Sequence, residues 1–257
     1  MKRYLLVLSV IILSFAFVTQ GLAGEKCKNI TIEIMQKHIP FSFPPDTKII
    51  SQREVGGLCE VIVNIQGRDL PIYVGKDFII LGQMFSNKKN VSNEEVKKLH
   101  SQKFLSLKKD IDKAVAITYT PSSTAKHAIY MFTDPLCPHC QKAGNQMEEI
   151  AKEYNVKVKV VFCPFRGRKN AIEAVCRNLD FSTYVKGDWK KEGKTEKSQC
   201  KKGQELIETS IKLAKKLGIS GVPTFYLENG KIVVGANIPQ LKEALGELTG
   251  KKEKKKF

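Results

Sequence analysis

Cys137 and Cys140, in the stretch Phe132-Thr133-Asp134-Pro135-Leu136-Cys137-Pro138-His139-Cys140, are the residues of this chain best suited to covalent chemistry. Their two-residue spacing lets them close into a small, strained and therefore exchangeable disulfide. The apolar run Ala128 to Phe132 precedes them and an amphipathic run from Gln141 follows. Strand, Cys-x-x-Cys, helix is the setting of a thiol–disulfide redox site. At a helix start, Cys137 meets free backbone N–H groups and the positive end of the helix dipole, which stabilise a thiolate. Thiolate is the attacking species in disulfide exchange. His139, with Pro138 beside it, is expected to act as a nearby donor or positive charge that lowers the Cys137 pKa. The plainer reading of His139 is an exposed helix-start residue.

Metal chemistry fits the same motif less well. A structural zinc site wants four ligands, usually from a second Cys or His pair, and no second Cys-x-x-Cys exists here. A c-type haem site needs His directly after the second Cys, where this chain has Gln141. The reading therefore calls for no metal and no cofactor beyond the redox-active pair itself.

The compartment follows from the first residues. Lys2 and Arg3 precede an apolar run, Tyr4 to Val18, and the small residues Gly21, Ala23 and Gly24. This is the pattern of a secretory signal peptide over residues 1–24, too short to span a bilayer as an anchor. It predicts export to the periplasm, where disulfides persist. The formal net charge is +17, with lysines scattered along the chain and gathered in the tail 251–257. No basic stripe interleaved with aromatics is present, so the charge reads as solvated surface and nucleic acid is not an expected partner.

The elements that must hold the cysteines divide into two sets. Residues 25–90 read as a small antiparallel meander. Ile30–His38 is a short helix, followed by strands at Lys48–Glu54, Cys59–Ile65, Leu70–Val74 and Phe78–Phe85, with turns at Gly56-Gly57, Gln66-Gly67 and Gly75-Lys76. So small a core gains from pairing with another subunit. A linker over 91–117 begins with the capping box Ser92-Asn93-Glu94-Glu95. Its Val96, Leu99, Leu107, Ile111 and Val115 fall near one helical face. A helix of this length either spaces two domains or docks as an ordinary helix. Residues 118–250 follow the order strand, helix, strand, helices, hairpin, helix, which is a thioredoxin arrangement with a helical insertion.

Three further features bear on this second half. Val222-Pro223 precedes a strand; in a thioredoxin arrangement that proline is cis, beside the Cys137 sulfur, and leaves the Val222 backbone open to a bound peptide. Cys176 and Cys200 flank the insertion, and a bridge between them is worth roughly 3–4 kcal/mol on the chain-entropy model. Cys163 ends the central strand either as a buried inert thiol or as a third redox participant. In the first half, Cys27 and Cys59 are either bridged or unpaired.

Taken together, Phe132-Thr133-Asp134, Cys137-x-x-Cys140, Cys176 with Cys200, Leu217 to Pro223, Asn229-Gly230 with Gly235, and Tyr73-Val74-Gly75 with Ile80 to Met84 resemble the periplasmic DsbC/DsbG-type disulfide isomerases. The resemblance implies an N-terminal cystatin-like dimerisation domain, a helical linker and a thioredoxin-fold catalytic domain. It implies a V-shaped homodimer whose cleft holds misfolded or misoxidised exported proteins, and a membrane thiol reductase of the DsbD type that keeps Cys137 and Cys140 reduced. Pro138-His139 and Val222 are instead the choices of the DsbA oxidases, so a dithiol oxidase remains the alternative, as does a client-binding chaperone without redox turnover. Cys27, Cys59 and Cys163 are outside the family's pattern.

Overall fold

The computed structural model describes residues 27–190 and 196–251. The expected signal segment 1–24 and the tail beyond Lys251 lie outside the described residues.

Turn residues and alternating apolar positions build the first layer. Strands β1 (Lys48–Val55), β2 (Leu58–Ile65), β3 (Arg68–Val74) and β4 (Ile79–Leu81) pair in sequence order as an antiparallel sheet. Val61, Val63, Ile72 and Val74 point to one face and close on Met35 of the short helix α1 (Ile32–Gln36). Thr31 caps that helix. It is shorter than the sequence suggests because Pro40 disfavours helical geometry in the residue before it. A disulfide joins Cys27 to Cys59 and ties the start of the described chain to β2. The expected fourth run is split, with β5 (Phe85–Ser86) and β6 (Lys89–Asn90) forming a separate two-stranded ribbon.

Helix α2 (Val91–Lys113) leaves this sheet through a buried polar cluster. Glu60, fully buried, bonds Arg53 and accepts from the Tyr73 hydroxyl at 2.7 Å. Tyr73 also bonds Ser92, which accepts from the Met84 N–H at 2.8 Å. Ser92 is therefore not the helix cap the sequence suggested. The cap is Asn90, whose side chain accepts from the Asn93 N–H at 2.9 Å, and Ser92 is committed to the sheet. The helix is also docked rather than free. Phe104 and Ile111 are fully buried against the second sheet, with Phe104 stacked on Tyr226 at 4.5 Å and edge-on to Tyr130 at 5.2 Å.

The second sheet has the order β11-β10-β8-β9-β7. Its members are β7 (Ile117–Tyr119), β8 (His127–Thr133), β9 (Val156–Phe162), β10 (Thr224–Leu227) and β11 (Ile232–Val234). Only β8 and β9 run parallel. The central β8 is covered on both faces, which is why Ala128 to Thr133 shows no polar alternation. Its pleat still sorts its side chains. Ile129 and Met131 face α3 (Pro138–Tyr154) and α7 (Ile238–Thr249), while Ala128, Tyr130 and Phe132 face α2 and α6 (Lys201–Leu217). The insertion between β9 and β10 supplies α4 (Arg168–Cys176), α5 (Phe181–Lys186) and α6, and Cys176 is bonded to Cys200 at the head of α6.

Phe104 was not among the positions that the sequence assigned to the buried face of α2, yet it is what clamps the helix to the sheet. Phe104→Ala should cost about 3–5 kcal/mol and lower the midpoint of urea unfolding followed by tyrosine fluorescence.

Candidate redox site

The chain turns from β8 into α3 at the carboxyl end of the sheet, and Cys137 is the residue that caps the helix. Pro138 stands in the first helical turn, where a missing N–H costs nothing. Cys137 is half-buried and Cys140 buried, both as free thiols. The Cys137 Sγ accepts from the Cys140 backbone N–H at 3.3 Å, and its thiol lies 3.6 Å from the Val222 carbonyl. The Val222–Pro223 bond is cis. The structure thus brings together Cys137, Cys140, Val222 and Pro223 from two distant parts of the chain.

Of the roles expected of His139, donor or positive charge, the structure does not supply the donor. His139 is exposed and makes no hydrogen bond to Cys137 among the described residues. The donor that reaches the sulfur is the Cys140 backbone N–H, because a side chain in the first helical turn points away from the cap while the backbone N–H groups point at it.

Burial and the bond to Cys137 push the Cys140 thiol up to about 12, against the pull of the Asp134 backbone N–H and the Thr133 side chain. The two sulfurs therefore occupy different environments: one at the surface on a helix end, the other beneath it. Tyr184, whose hydroxyl lies 3.4 Å from that of Thr133, walls the buried side, and its own ionisation is suppressed by burial.

A buried carboxylate underlies the whole turn. Asp134 accepts from the N–H groups of Leu136, Phe165 and Arg166, each at 2.8 Å, and of Gly167 at 3.1 Å. It binds the loop after β9 to the loop that carries Cys137. The sequence placed Asp134 in the family pattern without a role; an acid following an apolar strand run was the available signal. Gly167 is needed because a Cβ there would fall 2.4 Å from the Asp134 carboxylate.

Cys163 begins that second loop, its N–H donating to the Thr133 carbonyl at 2.8 Å. Burial, reinforced by Asp134, pushes its thiol up to about 12. It has no hydrogen bond to either redox sulfur among the described residues. Cys176, Cys200, Cys27 and Cys59 lie away from the site in their two disulfides. No group of three or more His, Cys, Asp or Glu residues is arranged to hold a metal ion among the described residues.

Residues 116–248 match the family model of the thioredoxin-like domain, and the chain belongs to that family. No curated protein matches the chain. Many solved structures resemble it, among them the following three. The thiol-disulfide exchange protein alpha-DsbA2 of Wolbachia pipientis is 19% identical with a TM-score of 0.49, over 62% of this chain and 100% of the other. The catalytic domain of Proteus mirabilis ScsC is 22% identical at 0.47, over 59% and 99%. Helicobacter pylori DsbG is 21% identical at 0.37, over 70% and 93%.

Exposure of Cys137, and burial of Cys140 and Cys163 that pushes their thiols up, predict the labelling order of the reduced protein. A thiol held at about 12 is almost wholly protonated at pH 8 and gains reactivity only as pH rises toward that value. Iodoacetamide at pH 8 should modify Cys137 first, leaving Cys140 and Cys163 unmodified until above roughly pH 10 or until unfolding. Mass spectrometry of quenched peptides reads the order.

Proposed function

We propose that the protein is a periplasmic thiol–disulfide oxidoreductase that isomerises or reduces incorrect disulfides in exported proteins through Cys137 and Cys140. The observation that carries this reading is the pairing of a half-buried Cys137 at a helix start with the cis Val222–Pro223 bond at its sulfur. A client cysteine can reach Cys137 while the client backbone lies along Val222.

Isomerisation regenerates the Cys137 thiolate by itself, whereas reduction consumes the dithiol. The Cys137 thiolate attacks a client disulfide; the new Cys137–client bond forms as the old bond breaks and one client thiolate leaves. In isomerisation, another client thiolate attacks the mixed disulfide, makes a new client disulfide and returns Cys137 as thiolate. In reduction, Cys140 loses its proton and attacks Cys137, leaving a Cys137–Cys140 disulfide and two client thiols. A membrane dithiol reductase of the DsbD type is the proposed source of the two electrons that restore the pair. Burial disfavours the Cys140 thiolate, so its attack is slow and mixed disulfides persist long enough for a client thiol to resolve them. This favours isomerisation.

His139 contributes through its charge when protonated, since it makes no bond to the sulfur. Replacing it with Tyr should make the disulfide less oxidising. The dithiol oxidase reading rests on Pro138-His139 and on Val222. A reduction potential near −120 mV, rather than about −200 mV, would favour it. The chaperone role is supported by an apolar cavity of about 410 Å³ in the first domain, lined among others by Phe41, Phe43, Leu70 and Leu81.

We also infer a homodimer through the first domain. Strand β4 is an edge of its sheet, and Ile80 and Leu81 on it are about half exposed, the kind of open edge that pairs with a second copy. Sedimentation should give a dimer at micromolar concentration, and Ile80→Lys should shift it toward monomer.

Reactivation of a scrambled multi-disulfide enzyme by the pre-reduced protein, with no added oxidant, tests the main reading. Activity should vanish in Cys137→Ser, and Cys140→Ser should accumulate mixed disulfides. Full activity in Cys137→Ser would refute the assignment.

A further inference from the structure

A cavity of about 340 Å³ opens between the two halves of the chain beside the redox site. Its floor is Cys163 with Pro164 and Phe165, and one wall is Ile219 and Ser220, the residues leading into the cis Val222–Pro223 bond. The opposite wall comes from the first domain, at Gln66, Gly67 and Arg68 between β2 and β3.

That hairpin tip is held in place. Asp69, beside it, bonds His100 of α2 at 2.9 Å and accepts from Asn64 at 2.5 Å. Burial opposes ionisation of Asp69, but these two bonds hold it below the usual carboxylate range. On the other side, Gly218 lies so close to the tip that a Cβ there would come within 3.2 Å of the Gly67 carbonyl and 3.3 Å of the His100 ring. Gly218 also has φ +73°, so its absent side chain serves both the backbone turn and the close approach.

The charge around the cavity is one-sided. Arg68 and Lys215 both line it, both are exposed, and neither has an ion-pair partner among the described residues. No acidic residue lines it. Three carboxylates on neighbouring segments are already engaged: Asp69 by His100 and Asn64, Asp134 by its four backbone N–H groups, and Glu208 of α6 by Arg168. The floor meanwhile is apolar, with Phe165 more than half exposed.

We propose that this interdomain cavity is a client subsite that takes an acidic side chain on an otherwise apolar segment, close in sequence to the cysteine under attack. The inference rests on the thiol-exchange reading for its substrate, a polypeptide whose cysteine sits at Cys137. From Val222 to Ile219 is at most about 10 Å of chain. A client strand running along this loop therefore delivers a residue roughly two to four positions from its cysteine into the cavity. Apolar contacts with Phe165 and Ile219 hold the segment, and Arg68 and Lys215 select the sign of its charge.

Two measurements separate the subsite from the chemistry. In the first, isotope-labelled protein is titrated with short apolar peptides in which Ser replaces the cysteine and the residue three positions away is Glu, Ala or Lys. The Glu peptide should bind about ten-fold tighter than the Lys peptide at low salt, perturbing the amides of Arg68, Lys215 and Ser220. The difference should shrink as salt rises and disappear or reverse in Arg68→Glu/Lys215→Glu. In the second, the reduced protein exchanges with the same peptides carrying Cys as a mixed disulfide with 2-mercaptoethanol; Cys137 takes the peptide sulfur as 2-mercaptoethanol leaves, rates are normalised to exchange with neutral hydroxyethyl disulfide on the same reduced protein, and the same ratio should appear. Failure to exchange with hydroxyethyl disulfide would overturn the thiol-exchange reading while the binding ratio still reports on the cavity. Glu and Lys peptides binding within two-fold of each other, absence of shifts at the three amides, or a Glu preference that survives the double charge reversal would each overturn the subsite.

Discussion

The Asp134 carboxylate is the interaction on which the working end of this molecule depends. A carboxyl group with 2% exposure is expensive to bury unless its lone pairs are occupied, and here they are occupied by four backbone N–H groups from two loops. Those loops leave the ends of the adjacent parallel strands β8 and β9. Strand pairing fixes the distance between the ends through the register Thr133 to Phe162, and Asp134 then fixes the loops to each other. Cys137, Phe165 and the Gly167 start of α4 are all placed by that one side chain. Removing it would leave unpaired donors at the point where the chain must be held most closely.

The two cysteines show how a single turn of helix produces two kinds of thiol. Both belong to one motif, but the cap position faces solvent and the open N–H groups of the helix, while a position three residues on points into the core. The asymmetry is a product of helical geometry rather than of residue type. On the proposed function, it divides the labour of exchange into an attacking sulfur and a resolving sulfur. Cys163 shows the opposite case. Buried beside an anion, it is kept from ionising by the environment that makes the neighbouring turn rigid.

The first sheet is coupled to the second more closely than a spacer helix would allow. Phe104 fastens α2 onto the second sheet, the Glu60–Arg53–Tyr73–Ser92 cluster fastens its start to the first sheet, and His100 with Asp69 fastens the hairpin tip. The helix is thus a strut packed along its length, and the space beside the redox site acquires a wall from a distant part of the sequence.

Much of this was legible in the chain itself. The Cys-x-x-Cys motif between an apolar run and an amphipathic run determined the strand, the helix and the capping cysteine, because those are matters of local spacing and periodicity. The meander of the first half, with its turns at Gly56-Gly57 and Gln66-Gly67, was equally local. Tertiary structure alone decided what depends on residues far apart in sequence. It made Asn90 rather than Ser92 the cap of α2, because Ser92 is engaged by Tyr73 and Met84. Phe104 became the anchor because two tyrosines of another sheet lie over it. The donor to Cys137 is a backbone N–H, not His139. The role of Asp134, and the cavity between Gln66–Arg68 and Ile219–Ser220, exist only once the two strands and the two halves of the chain are brought together. No periodicity in a sequence encodes a contact between segments that meet only through packing.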